Sequence, residues 1–167
     1  MRDPTRCGAA RGAGGRVGRR RLPPRGVGLA HGGREPRYLA ASLPLLLRLE
    51  TITRLLQEHG IAPDALRVMS GFRTPAYNAS IGNTTIYSRH LWGDAADVYV
   101  DADGDGRMDD LNGDGRHTVA DARLLATWVE GLEARKSWRP GGLASYRANA
   151  VHGPFVHVDA RGTRARW

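Results

Sequence analysis

Three side chains in the second half of the chain have the chemistry of a metal site. His90 lies in the stretch Ser88-Arg89-His90-Leu91-Trp92-Gly93-Asp94-Ala95-Ala96-Asp97, with six residues between its imidazole and the Asp97 carboxylate. Ala95 to Val100 reads as a strand, and a turn at Gly93 can bring the loop histidine and the strand carboxylate together. Far downstream, Phe155-Val156-His157-Val158-Asp159 alternates apolar and polar residues, so His157 and Asp159 project from one face of a second strand. Two neutral imidazoles and a carboxylate are a recurring catalytic zinc set, because three protein ligands leave a fourth position for water. Zinc lowers the pKa of such a water to about 7. Asp159 can accept a hydrogen bond from a ring nitrogen and fix which nitrogen ligates. The sole cysteine, Cys7, lies far from these residues, so neither a thiolate cluster nor a disulfide framework is available.

A second cation site is written into residues 101–121, a run of Asp and Gly too acidic for an ordinary connector. Counting from Asp110, the ligand positions of an EF-hand loop fall on Asp110, Asn112, Asp114, the Arg116 carbonyl, Thr118 and Asp121, with Gly115 at the sixth place. Asp replaces the usual terminal Glu, and the pattern resembles the single calcium loops of dockerins. An overlapping frame starts at Asp101 and runs through Asp103, Asp105, the Arg107 carbonyl and Asp109 to Asn112. The two frames share Asp110 and Asn112, so only one can be complete. Calcium here is expected to be structural, and weak sites of this kind fill at about 0.1–1 mM calcium, which is met outside the cytosol.

These residues need a scaffold. Leu45, Leu46, Leu49, Ile52, Leu55 and Leu56 recur at helical spacing between Ser42-Leu43-Pro44 and Gly60. Val119 to Leu132 repeats the pattern, and Pro140-Gly141-Gly142 breaks the chain after it. Leu66 to Ser70, Ala95 to Val100, Leu143 to Arg147 and Pro154 to Asp159 read as strands. Without a βαβ rhythm, these elements predict an α+β domain: a small antiparallel sheet packed with helices, the zinc site on the sheet face and the acidic loop inserted.

The charge is unevenly distributed. Residues 1–38 carry ten Arg against Asp3 and Glu35, which is the whole net charge of +8. From residue 39 onward fifteen basic residues face fifteen acidic ones, so the domain needs no polyanionic partner and nucleic acid is not expected. The basic stretch is rich in Gly and poor in aliphatic residues, and is expected to be disordered. No secretory signal is legible after Arg19-Arg20-Arg21, and the apolar run Leu43 to Leu47 is far too short for a transmembrane segment.

Four ordered blocks carry a family resemblance: Ser70-Gly71-Phe72-Arg73, Tyr77-Asn78, the Ser-x-His-x-x-Gly-x-Ala-x-Asp pattern of 88–97, and Gly153-Pro154-Phe155-Val156-His157-Val158-Asp159. Together they resemble the zinc D-alanyl-D-alanine carboxypeptidases, a family that includes phage endolysin peptidases and is related in fold to the hedgehog signalling domain. The resemblance implies zinc ligation by His90, Asp97 and His157, substrate binding by Arg73 and a catalytic role for His152. Several relatives place a catalytic Glu three residues before the last histidine, where this chain has Pro154. His152 and Asp159 remain as candidate general bases, with His152 preferred.

The function so implied is zinc-dependent hydrolysis of peptide bonds next to D-amino acids in the stem peptides of peptidoglycan, as a carboxypeptidase or an endopeptidase. The expected location is periplasmic, in the cell envelope, or secreted. The alternative is a non-hydrolytic, zinc- and calcium-stabilised binding module of the hedgehog type, against which the retained Arg73 and His152 argue.

Overall fold

The computed structural model describes residues 38–135 and 138–167. The expected disordered tail therefore lies, apart from Tyr38, outside the described residues, as does Cys7. Helix α1 spans Leu43–Glu58, strand β1 Leu66–Ser70, helix α2 Pro75–Ser80, strand β2 Ala95–Val100 and helix α3 Val119–Gly131. Strands β3 (Gly142–Tyr146), β4 (Phe155–Asp159) and β5 (Ala165–Arg166) follow, and 3-10 turns occur at Pro63–Ala65, Arg89–Trp92 and Leu132–Ala134.

The helices begin where capping chemistry allows. The Ser42 hydroxyl accepts the Leu45 amide at 3.3 Å, and Pro44 in the first turn has no N–H to leave unsatisfied. Thr118 and Asp121 form a reciprocal capping box at the start of α3, which occupies the Asp121 carboxylate. The apolar stripes then bury Leu45, Ile52, Leu55 and Leu56 of α1 and Ala122, Leu125 and Val129 of α3 in one core.

The sheet order is β1-β2-β4-β3-β5. The first three pairings are antiparallel, but β3 and β5 are parallel, so the sheet is mixed where the sequence predicts an antiparallel one. Both edges of β4 are already taken by β2 and β3. After reversing through residues 160–164, the chain adds its last strand beyond β3, where it runs in the same direction as β3.

Period-2 alternation divides the two faces. Ala96, Val98 and Val100 of β2 and Val156 and Val158 of β4 join the helical core. Each such fully buried valine stabilises the fold by about 1.5–3 kcal/mol. The intervening residues occupy the opposite face, where Asp97 is paired directly across from His157 and Ala95 from Asp159. A β-bulge between Val68 and Ser70 shifts the β1 register and sets Ser70, rather than Met69, opposite Asp97. Ser70, Asp97, His157 and Ala144 thus lie in one row across four strands. Among the described residues no helix is long and apolar enough to cross a membrane.

Candidate metal centre

The strand row supplies two of the three proposed ligands, and a turn supplies the third. His90 lies in the 3-10 turn Arg89–Trp92, which Gly93 ends in the left-handed conformation at φ 66°. A Cβ at Gly93 would stand 3.0 Å from the Ala40 carbonyl oxygen, so this reversal needs both the free φ and the missing side chain. The Arg89 guanidinium ties back to the Asp94 carboxylate, with Nε at 3.0 Å. On the other side, the His90 carbonyl accepts the Arg73 amide at 3.1 Å, and His90 Nδ1 meets the Gly71 carbonyl at 2.7 Å. The turn after β1 and the turn before β2 therefore hold each other, with the His90 ring between them.

His90, Asp97 and His157 are buried and bring one ligand atom each within 4.8 Å of the others. His90 Nε2 lies 3.3 Å from His157 Nδ1 and 3.3 Å from Asp97 Oδ1, and His157 Nδ1 lies 2.9 Å from the same oxygen. Their outer hydrogen bonds decide what these atoms are. The Gly71 carbonyl can only accept, which assigns the ring proton of His90 to Nδ1 and the lone pair to Nε2. When His157 Nε2 keeps its proton toward the Asp159 carboxylate, 3.3 Å away, the lone pair of His157 lies on Nδ1, facing the cluster. With both rings neutral, two nitrogen lone pairs and a carboxylate oxygen converge without a donor among them. Such a cluster needs a cation, either a bound proton or a metal ion, and this donor set fits a metal.

The pKa shifts have the same cause. Burial pushes Asp97 up, but the His157 and His90 rings beside it, which favour the ionised carboxylate whenever they carry a proton toward it, outweigh burial and hold the carboxyl well below the usual carboxylate range. For His157, burial favours the neutral ring, whereas the hydrogen bonds and charges of Asp159 and Asp97 raise the pKa above its ordinary value. Asp159 is likewise held low despite burial, by His157, by the Arg161 guanidinium and by the Gly142 and Arg161 amides.

Other expected site residues occupy distinct positions. Arg73 is engaged with the protein itself: Nη2 donates to Asp97 Oδ2 and Nε to the Ser70 hydroxyl at 2.8 Å. It fixes the carboxylate whose other oxygen faces the histidines, a role that its expected contact with substrate does not include. Asp159 accepts from Gly142 N at 2.8 Å, from Arg161 N at 3.1 Å and from the Arg161 guanidinium, with Nη2 at 2.6 Å. Fully buried behind His157 and surrounded by donors, it is placed to orient that ring. His152 lines the cleft with Nδ1 at 2.8 Å from the Gly153 carbonyl, which assigns the proton there, and Nε2 accepting from Asn149 Nδ2 at 2.8 Å.

The cleft over this centre has a volume of about 930 Å³. Arg73, Arg89 and Arg161 line it, whereas Asp97 is the only carboxylate among its described lining residues. Exposed Tyr87, Val151 and Trp167 give the same cleft apolar surface. The Trp167 ring stands 5.2 Å from that of His157 and the Arg161 guanidinium 5.2 Å from Trp167. Ser70 and Gly71 stand in the sequence within a resemblance block but without a role in the site, and Gly142, Arg161 and Asn149 stand outside every block. Of these last three, only Arg161 leaves a signal, a cation two residues beyond Asp159.

In the acidic loop, Asp110 accepts the amides of Gly113, Asp114 and Gly115, at 2.8, 3.1 and 2.7 Å. Asn112 Oδ1 accepts from Asp114 N, and Asp114 Oδ1 from Arg116 N, both at 2.9 Å. Thr118 and Asp121 serve the α3 cap, and Asp121 Oδ1 also takes Leu111 N at 3.0 Å. These expected calcium ligands accept backbone donors, and the carboxylates of Asp110, Asp114 and Asp121 are not drawn together as one group. The acidic group that does converge, among the described residues, is Asp101, Asp103 and Asp109. Comparisons with protein-family models, with curated proteins and with solved structures return no match for this chain.

Proposed function

We propose that the protein is a zinc-dependent peptidase that hydrolyses bonds next to D-amino acids in peptidoglycan stem peptides, in the periplasm, the cell envelope or outside the cell. The observation that carries this reading is the convergence of His90 Nε2, His157 Nδ1 and Asp97 Oδ1, with lone pairs facing one another, beneath a cleft large enough for a peptide. Zinc held there would supply a Lewis acid and a water of near-neutral pKa. Around it the chain's own residues divide the work. Asp159 holds the His157 ring, the Gly71 carbonyl holds the His90 ring, and Arg73 holds Asp97.

The cleft arginines spend Nε and Nη2 on the protein, Arg73 on Ser70 and Asp97, Arg89 on Asp94 and Arg161 on Asp159, and their remaining N–H groups suit the carboxylate or carbonyls of a substrate. With Pro154 where relatives carry Glu and Asp159 buried, His152 is the proposed proton carrier. Its Nε2 lone pair is free to accept a proton once the Asn149 amide releases it, and it can then protonate a leaving amine. The apolar surface of Tyr87, Val151 and Trp167 offers contact to the methyl groups of alanine-rich stems.

Digestion of purified peptidoglycan by the zinc-loaded chain, with mass analysis of the released fragments, tests this function. Release of D-alanine identifies a carboxypeptidase, and loss of cross-linked dimers identifies an endopeptidase. Both products should vanish with a chelator and return with zinc. Zinc-replete protein that leaves every such substrate intact supports the hedgehog-type binding module instead.

A further inference from the structure

The acidic loop contains a feature that its hydrogen bonds do not explain. The chain leaves β2 at Val100 and returns nine residues later, when the Asp109 amide donates to the Val100 carbonyl at 2.8 Å. Asp101 N donates to the Ala65 carbonyl at 2.8 Å, and Met108 is buried in the core. Both ends of the loop are therefore pinned to the folded domain, and only its middle is exposed.

Asp101 is 3% exposed, and its two oxygens differ. Oδ2 receives two long hydrogen bonds, from Gly106 N at 3.3 Å and from Arg67 Nε at 3.4 Å. Oδ1 is buried without any hydrogen-bond partner. A buried, unsatisfied oxygen of an anion is expensive, and native structures leave few of them unexplained. One carboxylate oxygen from each of Asp101, Asp103 and Asp109 lies within 4.8 Å of the others. Ligands across one calcium ion, each at 2.3–2.6 Å, stand about 5 Å apart or closer.

We propose that Asp101, Asp103 and Asp109 bind a divalent hard cation of the calcium type, at a site separate from the histidine-carboxylate centre. The all-oxygen donor set selects a hard ion over zinc, and the ion supplies Asp101 Oδ1 with the partner that the protein withholds. Three carboxylates brought this close repel one another, and a cation between them would relieve that repulsion. Asp110, Asp114 and Asp121 form the less suitable host, because they are not brought together as one group of ligand atoms and none of them is buried with an unpartnered oxygen. The ion would brace the exit of β2, the strand that carries Asp97, and the proposal does not depend on hydrolytic activity.

The test is calorimetric titration of the zinc-loaded full chain with calcium chloride, with the thermal midpoint followed in parallel. One calcium per chain is expected, half-saturating at about 0.1–1 mM, together with a raised midpoint. Asp103→Asn, at an exposed position that does not threaten folding, and Asp109→Asn should each weaken binding at least about tenfold. Asp114→Ala should bind like the wild type. Asp101→Asn should abolish binding, and if it fails to fold, the Asp103 variant decides. Absence of both heat and midpoint shift up to about 10 mM calcium would overturn the proposal. So would binding that survives Asp103→Asn but is lost in Asp114→Ala, which would move the ion to the loop of Asp110.

Discussion

Asp159 and Gly142 fit each other so closely that the glycine is part of the candidate metal centre. Gly142 N donates to Asp159 Oδ1 at 2.8 Å, and a Cβ on Gly142 would lie 2.1 Å from Asp159 Oδ2, the oxygen that faces His157 Nε2. The carboxylate that sets the His157 ring occupies the space a side chain would need. Gly142→Ala is therefore expected to displace Asp159 and to lower zinc affinity about 10- to 100-fold, the usual effect of losing an orienting partner. Competition against a chromophoric chelator measures it. Asp159→Asn should weaken zinc over the same range, and wild-type affinity in both variants would refute the orienting role.

Metal and proton compete for the same three atoms, which gives the metal-free and metal-loaded forms opposite pH responses. The folded pKa of His157 is raised, so its contribution to metal-free stability is complete below its ordinary value of 6.5 and is lost as pH rises through the folded value. Asp97 and Asp159 are depressed, so their contributions are present above their ordinary value of 3.8 and disappear only in stronger acid. Between pH 6 and 8 (roughly the span in which imidazoles titrate), the metal-free midpoint should fall as pH rises. Zinc affinity should rise over the same range, with about one proton released per ion at the acid end. Calorimetry in buffers of different ionisation enthalpy counts the protons.

Gly93→Ala places a Cβ in the left-handed region and 3.0 Å from the Ala40 carbonyl oxygen. The expected cost is about 1–3 kcal/mol of stability, read by urea denaturation. Because Gly93 reverses the chain between His90 and Asp97, zinc affinity should fall with it. A stability loss with unchanged zinc affinity would show that the turn supports the fold alone.

His152 separates turnover from metal binding, whereas Arg73 couples them. His152→Ala should keep full zinc content and lose about 100- to 10,000-fold in hydrolysis of stem peptides. Arg73→Ala should lose turnover and also bind zinc more weakly, since Arg73 holds Asp97 through Nη2. Arg73→Lys retains the charge without the fork that bridges Ser70 and Asp97, and should recover part of the affinity only. Full turnover in His152→Ala would assign the proton transfer to another group.

Much of this arrangement was legible because it is local. Strands at Leu66–Ser70 and Ala95–Val100 follow from short β-like runs, the α1 start from Ser42 and Pro44, and the common face of His157 and Asp159 from alternation. Gly93 as the turn that joins His90 to Asp97 is likewise a local inference. The parts that escaped depend on contacts distant in sequence. Nothing near Gly142 indicates that an aspartate seventeen residues away needs its space, and the pair Gly141-Gly142 reads only as a break. The bulge that sets Ser70 opposite Asp97 and the parallel placement of Ala165–Arg166 are fixed by which strand edges remain open. Within the acidic loop, ligand spacing favours the frame of Asp110, whereas burial singles out Asp101, and burial cannot be read from spacing.

Zinc titration of the wild type beside His157→Ala is the most direct test of the claim that His90, Asp97 and His157 form one metal centre. The expected result is one tightly bound zinc per wild-type chain and loss of tight binding in the variant, because two remaining ligands seldom define a site. Equal stoichiometry and affinity in the two proteins would contradict it.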